Sequence, residues 1–316
     1  MTTPSEEADV LAEMFGSRTA GRDRTVRIDP AAAAAPATPR SPKHAHLIAA
    51  ASLIVAIAIG SACLTGGIAV AGHLALSIWP AGDGDPPLVE ALYICCIFVP
   101  MALAALIGGR LTATHPLAAG RRPWAMAGLG ALMGATGVVI ATGYAVVAGA
   151  TTTGAGALIG PALAIGAVLV LIQSGTEELF LRGWLQPVLS RAWGGWIAVL
   201  LSALVFAGLH LLGGGRSPVT MANLMLGGIL FGLLAWRGGG IVGAVAAHYS
   251  WNMIEGLVLG LDPNPGVGSF GALWDIDLVG NPLWGGSDEG LNASIAMTIV
   301  LVALVVPLAT RARTVK

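Results

Sequence analysis

Gly175-Thr-Glu177-Glu178-Leu-Phe-Leu-Arg182 is the stretch that decides the fold, because it places three charges inside the apolar run 161–190. A charged side chain at the centre of a bilayer costs about 2.5–3.5 kcal/mol on insertion scales. Such side chains are rare, face the interior of a helix bundle and mark functional sites. The stretch therefore predicts a membrane helix whose polar face contributes to a site shared with other helices.

The composition of the whole chain indicates the same class of protein. Of its 316 residues, 55% are hydrophobic and only 10% are charged, whereas about a quarter of the residues in a soluble domain are charged. The formal net charge of −1 gives no reason to expect a nucleic-acid partner. The three cysteines all lie in apolar stretches, and their odd number and spacing predict neither a disulfide framework nor a metal site.

Eight apolar stretches are long enough to cross a bilayer, which predicts an all-α, polytopic membrane helix bundle. Clusters of Lys and Arg fall at alternate ends of these stretches, with Arg216 as the exception. Because such clusters favour the cytoplasmic side, we expect both termini to be cytoplasmic. The Gly- and Ala-rich composition points to a bacterial plasma membrane. The stretches are 46–72, 88–108, 124–149, 161–190, 195–212, 218–236, 240–260 and 292–310.

The first 44 residues have a different composition. They are polar, mix acids with arginines and contain several prolines. A segment of this kind cannot bury enough apolar area to order itself. We therefore expect a disordered cytoplasmic tail over 1–44 and the transmembrane bundle over 45–316. Within the bundle, pairs such as Gly130 and Gly134 predict close contacts between helices.

Two other spans carry polar residues that complement the glutamates. Phe206 and His210 are four residues apart in one span, and His248 and Asn252 are four apart in another. Residues at that spacing share one face of a helix. For these side chains to meet the glutamates at one depth, the fourth span must continue as a helix through 179–190.

The spacing within the fourth span separates the two glutamates. Glu178 and Arg182 are four residues apart and are expected to pair. Glu177 points about 100° away from Glu178 around the helix, since an α-helix has 3.6 residues per turn. The sequence thus predicts that Glu177 faces a cavity while Glu178 and Arg182 support the site.

These residue types permit hydrolysis of a peptide bond by an activated water. A carboxylate and a histidine can orient and deprotonate the water, and an imidazole N–H and an amide N–H can hold the oxyanion that forms. In this interpretation Glu177 is the base, His210 shares the water, and His248 and Asn252 hold the oxyanion.

Other chemistries are compatible with the same residues. Glu177, His210 and His248 resemble a three-ligand zinc set with an open fourth position, although the sequence gives no reason to favour a cofactor. Intramembrane charges also mark ion-coupled transporters, but no repeat relates the two halves of this chain, as it does in many carriers. A non-catalytic immunity or scaffold protein of the membrane is a third interpretation.

Three short motifs resemble those of a known family. The sequence EELFLR at 177–182 matches EExxxR, FAGLH at 206–210 matches FxxxH, and HYSWN at 248–252 matches HxxxN. Their order is similar to that in the CAAX protease and bacteriocin-processing family of intramembrane endopeptidases (CPBP or ABI), which includes the type II CAAX prenyl endopeptidases. The resemblance covers a core over 160–255.

The resemblance implies roles and partners for this chain. Glu177 and His210 would activate water, His248 and Asn252 would form the oxyanion hole, and Glu178, Arg182 and Phe206 would support the site. The family resemblance favours a metal-independent glutamate protease, while a metalloprotease remains an alternative. The expected substrate is a membrane-embedded peptide or protein within lipid, with a prenylated CAAX-type substrate as one alternative. The sequence makes no prediction of the oligomeric state.

Overall fold

The computed structural model describes residues 42–82, 84–154, 160–214 and 216–310. These ranges form a bundle of α-helices, and the predicted all-α membrane fold is confirmed. The predicted tail over 1–44 lies almost wholly outside the described residues. The helices are α1 (Pro42–Ile78), α2 (Pro86–Thr112), α3 (Pro123–Val147), α4 (Pro161–Glu178), α5 (Gln186–Trp193), α6 (Gly195–His210), α7 (Pro218–Gly238), α8 (Val242–Asn252) and α9 (Ile295–Thr310).

Several smaller elements complete the fold. Two π-helical segments, π1 (Leu179–Leu185) and π2 (Met253–Val258), follow α4 and α8 directly. Two short strands, β1 (Thr151–Thr153) and β2 (Ile276–Leu278), pair in antiparallel fashion. Single 3₁₀ turns lie at Leu211–Gly213, Pro282–Trp284 and Gly290–Ala293.

Helices lie at all eight predicted span positions, but they differ in length. Six of the described helices are long and apolar enough to cross a membrane: Lys43–Ile78, Pro86–Thr112, Pro123–Val147, Pro161–Trp193, Gly195–Gly213 and Pro218–Gly238. The helix formed by α8 and π2 and the apolar helix α9 are shorter. The total of eight spans therefore stays a prediction.

The fourth span is one continuous helix, as a shared site requires. It begins with Pro161 in the first turn, where the missing N–H of proline leaves no hydrogen bond unmade. The helix passes through π1 into α5 and ends before Gly194, whose φ of 86° is left-handed. Because the helix does not stop before the glutamates, both carboxylates lie in its middle.

Helices α3 and α8 pack with their backbones in contact. A methyl group at Gly130 would collide with the carbonyl of Gly243, and one at Gly134 would collide with the carbonyl of Ala247. The close contacts predicted from the glycine spacing are thus present. This packing holds α8, which carries His248, against the rest of the bundle.

One end of the bundle gathers the loops that are rich in arginine. We call it the basic end and define it as residues 109–123, 191–195 and 237–241. The N–H of Arg121 donates to the carbonyl of Gly238 at 2.8 Å, and the N–H of Ile241 donates to Ala118 at 2.9 Å. Arg191 donates to the carbonyls of Thr112 and Ala113. These bonds fasten the loops of the basic end to one another.

The opposite end contains the long loop after π2. We call this the acidic end and define it as residues 79–82, 84–90, 148–154, 211–214, 216–217 and 259–294. Asn264 organises the loop, because its amide donates to the carbonyls of Leu278 and Ser287 and accepts from the N–H of Leu278. The carboxylate of Glu289 accepts from the N–H of Ser217, which ties the loop to the start of α7.

Candidate active site

The four residues predicted to carry the chemistry line one cavity. Glu177, His210, His248 and Asn252 come from three separate helices and border a space of about 560 Å³. Glu177 is half-buried at the cavity wall, and Glu178 is fully buried behind it. The structure thus brings together the residues that the sequence motifs selected.

Glu178 joins two other polar side chains in a buried hydrogen-bonded network. Its Oε1 accepts a hydrogen bond from Arg182 Nη1 at 3.0 Å and another from His248 Nδ1 at 2.9 Å. The side chains of Glu178 and Arg182 are completely buried. The ion pair was predicted from the spacing, whereas the bond to His248 was not. Glu178 therefore sets the position of one of the two cavity histidines.

Arg182 connects this network to α7 and to two aromatic rings. Its Nη2 donates to the carbonyl of Gly228 at 2.9 Å. The guanidinium lies 5.1 Å from the ring centroid of Phe206 and 5.7 Å from that of Phe231, distances at which a cation is attracted to an aromatic face. Phe206 thus lies against Arg182 and also borders the cavity.

His248 is held on two sides. Its ring stacks on Phe231 with centroids 4.6 Å apart and an interplanar angle of 15°, while its Nδ1 bonds Glu178. With Nδ1 occupied, Nε2 is the ring nitrogen that remains for the cavity. Sequence reasoning missed Phe231, because an aromatic residue in an apolar helix carries no signal of its own.

His210 is oriented by its own helix. Its Nδ1 lies 2.8 Å from the carbonyl oxygen of Phe206, four residues earlier. A carbonyl oxygen can only accept a hydrogen bond, so Nδ1 carries the proton. The neutral ring then has its lone pair on Nε2. This is the tautomer that a histidine needs to accept a hydrogen bond from a water.

Asn252 is fixed by a serine that sequence reasoning did not select. Its Nδ2 donates to the hydroxyl of Ser174 at 3.2 Å, and Ser174 is fully buried. The signal was available, since Ser174 stands four residues before Glu178 and so shares its side of the helix. One amide hydrogen of Asn252 is used in this contact, and the second remains for the cavity.

The cavity also contains acidic residues that the motifs do not include. Glu255 lies in π2 and borders the cavity; it is 5% exposed and accepts a hydrogen bond from Trp251 Nε1 at 3.1 Å. Glu289 borders the cavity near Arg216. Burial would raise the pKa of Glu289, but hydrogen bonds from Thr220 and Ser217 and the charge of Arg216 hold it below its usual value.

A metal ion needs several ligand side chains that converge on one point. Among the residues that the structure describes, no three His, Cys, Asp or Glu side chains converge as a ligand set. Glu177, His210 and His248 share the cavity wall without forming the three-ligand zinc arrangement considered from the sequence. The three cysteines are free thiols.

One comparison with known proteins matches this part of the chain. Residues 158–254 match the family model described as type II CAAX prenyl endopeptidase Rce1-like. No curated protein and no solved structure gives a significant match. The matched segment contains all three motifs and every residue of the buried network around Glu178. The resemblance to the CAAX protease family is therefore confirmed for the segment that carries the four predicted site residues.

Proposed function

We propose that this chain is an intramembrane endopeptidase, in which Glu177 and His210 activate a water that hydrolyses a peptide bond of a membrane-embedded substrate. The family match supports a membrane protease. The observation that carries the proposal is the convergence of Glu177, His210, His248 and Asn252 on one cavity of a membrane helix bundle.

The first step is the activation of water. Glu177 and the lone pair of His210 Nε2 face the cavity and hold the water between them. Glu177 takes a proton as the water oxygen attacks the carbonyl carbon of the substrate. The same proton then passes to the nitrogen of the leaving amine as the C–N bond breaks. A general base of this kind contributes about 10²- to 10⁴-fold to the rate.

The second requirement is a pair of donors for the oxyanion. The free amide hydrogen of Asn252 is one. His248 donates from Nε2 when both of its ring nitrogens are protonated, because Nδ1–H is directed at Glu178. The carboxylate of Glu178 stabilises that imidazolium ion. Preorganised donors near a developing oxyanion are worth about 10²–10³ in kcat each.

The proposal is tested with the full-length protein purified in detergent and a library of quenched fluorescent peptides. We expect Glu177→Gln and His210→Ala each to lower kcat/KM by about 10²- to 10⁴-fold. Asp85→Asn and His73→Ala are the matched controls, since both residues are exposed and lie outside the cavity. Cleavage that survives both cavity substitutions would exclude this site.

Metal dependence is decided by a separate measurement on the same preparation. A protease of the glutamate type keeps its activity when a strong chelator is added and the metal content of the protein is brought to background. Activity that disappears with the metal and returns with added zinc would show that the metalloprotease alternative is correct.

A further inference from the structure

The loops that line the cavity all come from one end of the bundle. Beyond the four site residues, its wall includes Glu90 near the start of α2, Thr220 near the start of α7, and Asp262, Ser269 and Asp288 from the loop after π2. All of these belong to the acidic end or adjoin it. The route from the site to water therefore passes between the loops of the acidic end.

The basic end does not contribute to the cavity. Among the described residues of the basic end, none lines the cavity, and hydrogen bonds between Arg121 and Gly238 and between Ile241 and Ala118 join its loops. The large side chains of Phe180, Leu181 and Leu185 in π1 are almost fully buried beneath the site. A packed apolar layer thus separates the glutamates from the basic end.

The two ends differ sharply in charge. The basic end carries Arg110, Arg121, Arg122, Arg191 and Arg237, whereas Arg216 is the one lysine or arginine in the described part of the acidic end. The acidic end holds seven described carboxylates instead: Asp85, Glu90, Asp262, Asp275, Asp277, Asp288 and Glu289. Short loops rich in Lys and Arg remain on the cytoplasmic side of a membrane.

From these observations we infer that the catalytic cavity opens to the extracytoplasmic side, so that the enzyme acts on membrane-anchored peptide segments presented from outside the cell. The position of the opening rests on the cavity wall and the charge of the two ends. The class of substrate rests in addition on the proposed protease function.

This orientation selects among the substrates that the family resemblance allows. A C-terminal peptide lipidated in the cytoplasm would have to cross the bilayer to reach the opening. Its free carboxylate would also meet a wall in which the carboxylates of Glu90, Asp262 and Asp288 outnumber the one arginine, Arg216, and like charges that share a site repel one another. Translocated peptides or extracytoplasmic segments of membrane proteins avoid both obstacles.

The inference is tested by labelling single cysteines in the full-length chain in intact bacteria. Cys63, Cys95 and Cys96 are first replaced by alanine. Asp288→Cys then reports the acidic end, and Arg121→Cys reports the basic end; both residues are exposed. A membrane-impermeant maleimide is added before or after permeabilisation, with a cytoplasmic protein as the control for intact cells.

We expect Asp288→Cys to be labelled equally well in intact and permeabilised cells, and Arg121→Cys to be labelled only after permeabilisation. Ser269→Cys, on the cavity wall, serves as a second reporter if Asp288→Cys does not accumulate. The opposite pattern, or labelling of the acidic end only after permeabilisation, would overturn the inference. Labelling does not require cleavage, so its outcome is independent of the test of the proposed protease.

Discussion

Replacing Arg182 by methionine is the sharpest test of the network behind the cavity. Arg182 donates to Glu178 and to the carbonyl of Gly228, and both charged side chains are fully buried. Hydrogen bonds between membrane helices contribute on average about 0.6 kcal/mol. Removing one partner of a buried ion pair instead costs about 3–5 kcal/mol, because the other charge is left uncompensated.

The structure favours the cost of breaking a buried ion pair, at the lower limit of its range. After the substitution Glu178 keeps one donor, His248, so part of its charge is still stabilised. We expect Arg182→Met to lower the free energy of unfolding by about 3 kcal/mol. Glu178→Gln should lower the free energy of unfolding much less in the Arg182→Met variant than in the native protein, since the pair then leaves no unpaired charge.

The measurement is reversible denaturant unfolding in detergent micelles, followed by tryptophan fluorescence. Arg110→Met is the matched control, because Arg110 is exposed at the basic end. If Arg182→Met lowers the free energy of unfolding by only about 0.6 kcal/mol or less, Arg182 contributes no more than an ordinary polar contact between membrane helices. Additive effects in the double variant would likewise refute the view of Glu178 and Arg182 as one electrostatic unit.

Three further substitutions test other parts of the fold and the site. Gly134→Ala should destabilise the bundle by about 1–3 kcal/mol through overpacking against α8. Gly128→Ala, on the same helix α3, should not destabilise it, because a methyl group there would meet no atom within 4 Å. Equal thermal unfolding of the two variants would contradict the packing described. Asn264→Ala should make the loop after π2 sensitive to limited proteolysis, with Asn281→Ala as the control, and equal digestion would be contrary evidence. Asn252→Ala should lower kcat by about 10²- to 10³-fold with little change in KM if it holds the oxyanion, and a change confined to KM would remove that role.

The sequence was sufficient to predict the features of the fold and the site that depend on the spacing of residues along a helix. Buried charge in an apolar run indicated a membrane bundle, and the four-residue spacing of Glu178 and Arg182 predicted their ion pair. Charge distribution placed the loops at two ends, and the hydrogen bonds within each end agree with that grouping. These features depend only on local spacing and on the cost of charge in lipid.

The contacts between residues far apart in the sequence could not be predicted from spacing. The stacking of Phe231 on His248 and the bond from His248 to Glu178 depend on how α4, α7 and α8 are rotated about their axes. Hydropathy does not determine these rotations when a helix is apolar on every side. The structure of the loop after π2 depends likewise on Asn264, whose amide bonds residues more than ten positions away.

The π-helical segment π1 separates two tasks along one helix. A π turn contains one residue more than an α turn, and each residue turns the α-helix by about 100°. Before π1 the helix directs Glu177 toward the cavity; after it, Gln186 donates to the carbonyl of Gly232 and accepts from Ser202. Loss of a single residue within 179–185 would swing Gln186 off these partners and leave the glutamates where they are. The π1 segment thus allows the half of the helix that carries the glutamates and the half anchored through Gln186 to have different rotations about the helix axis.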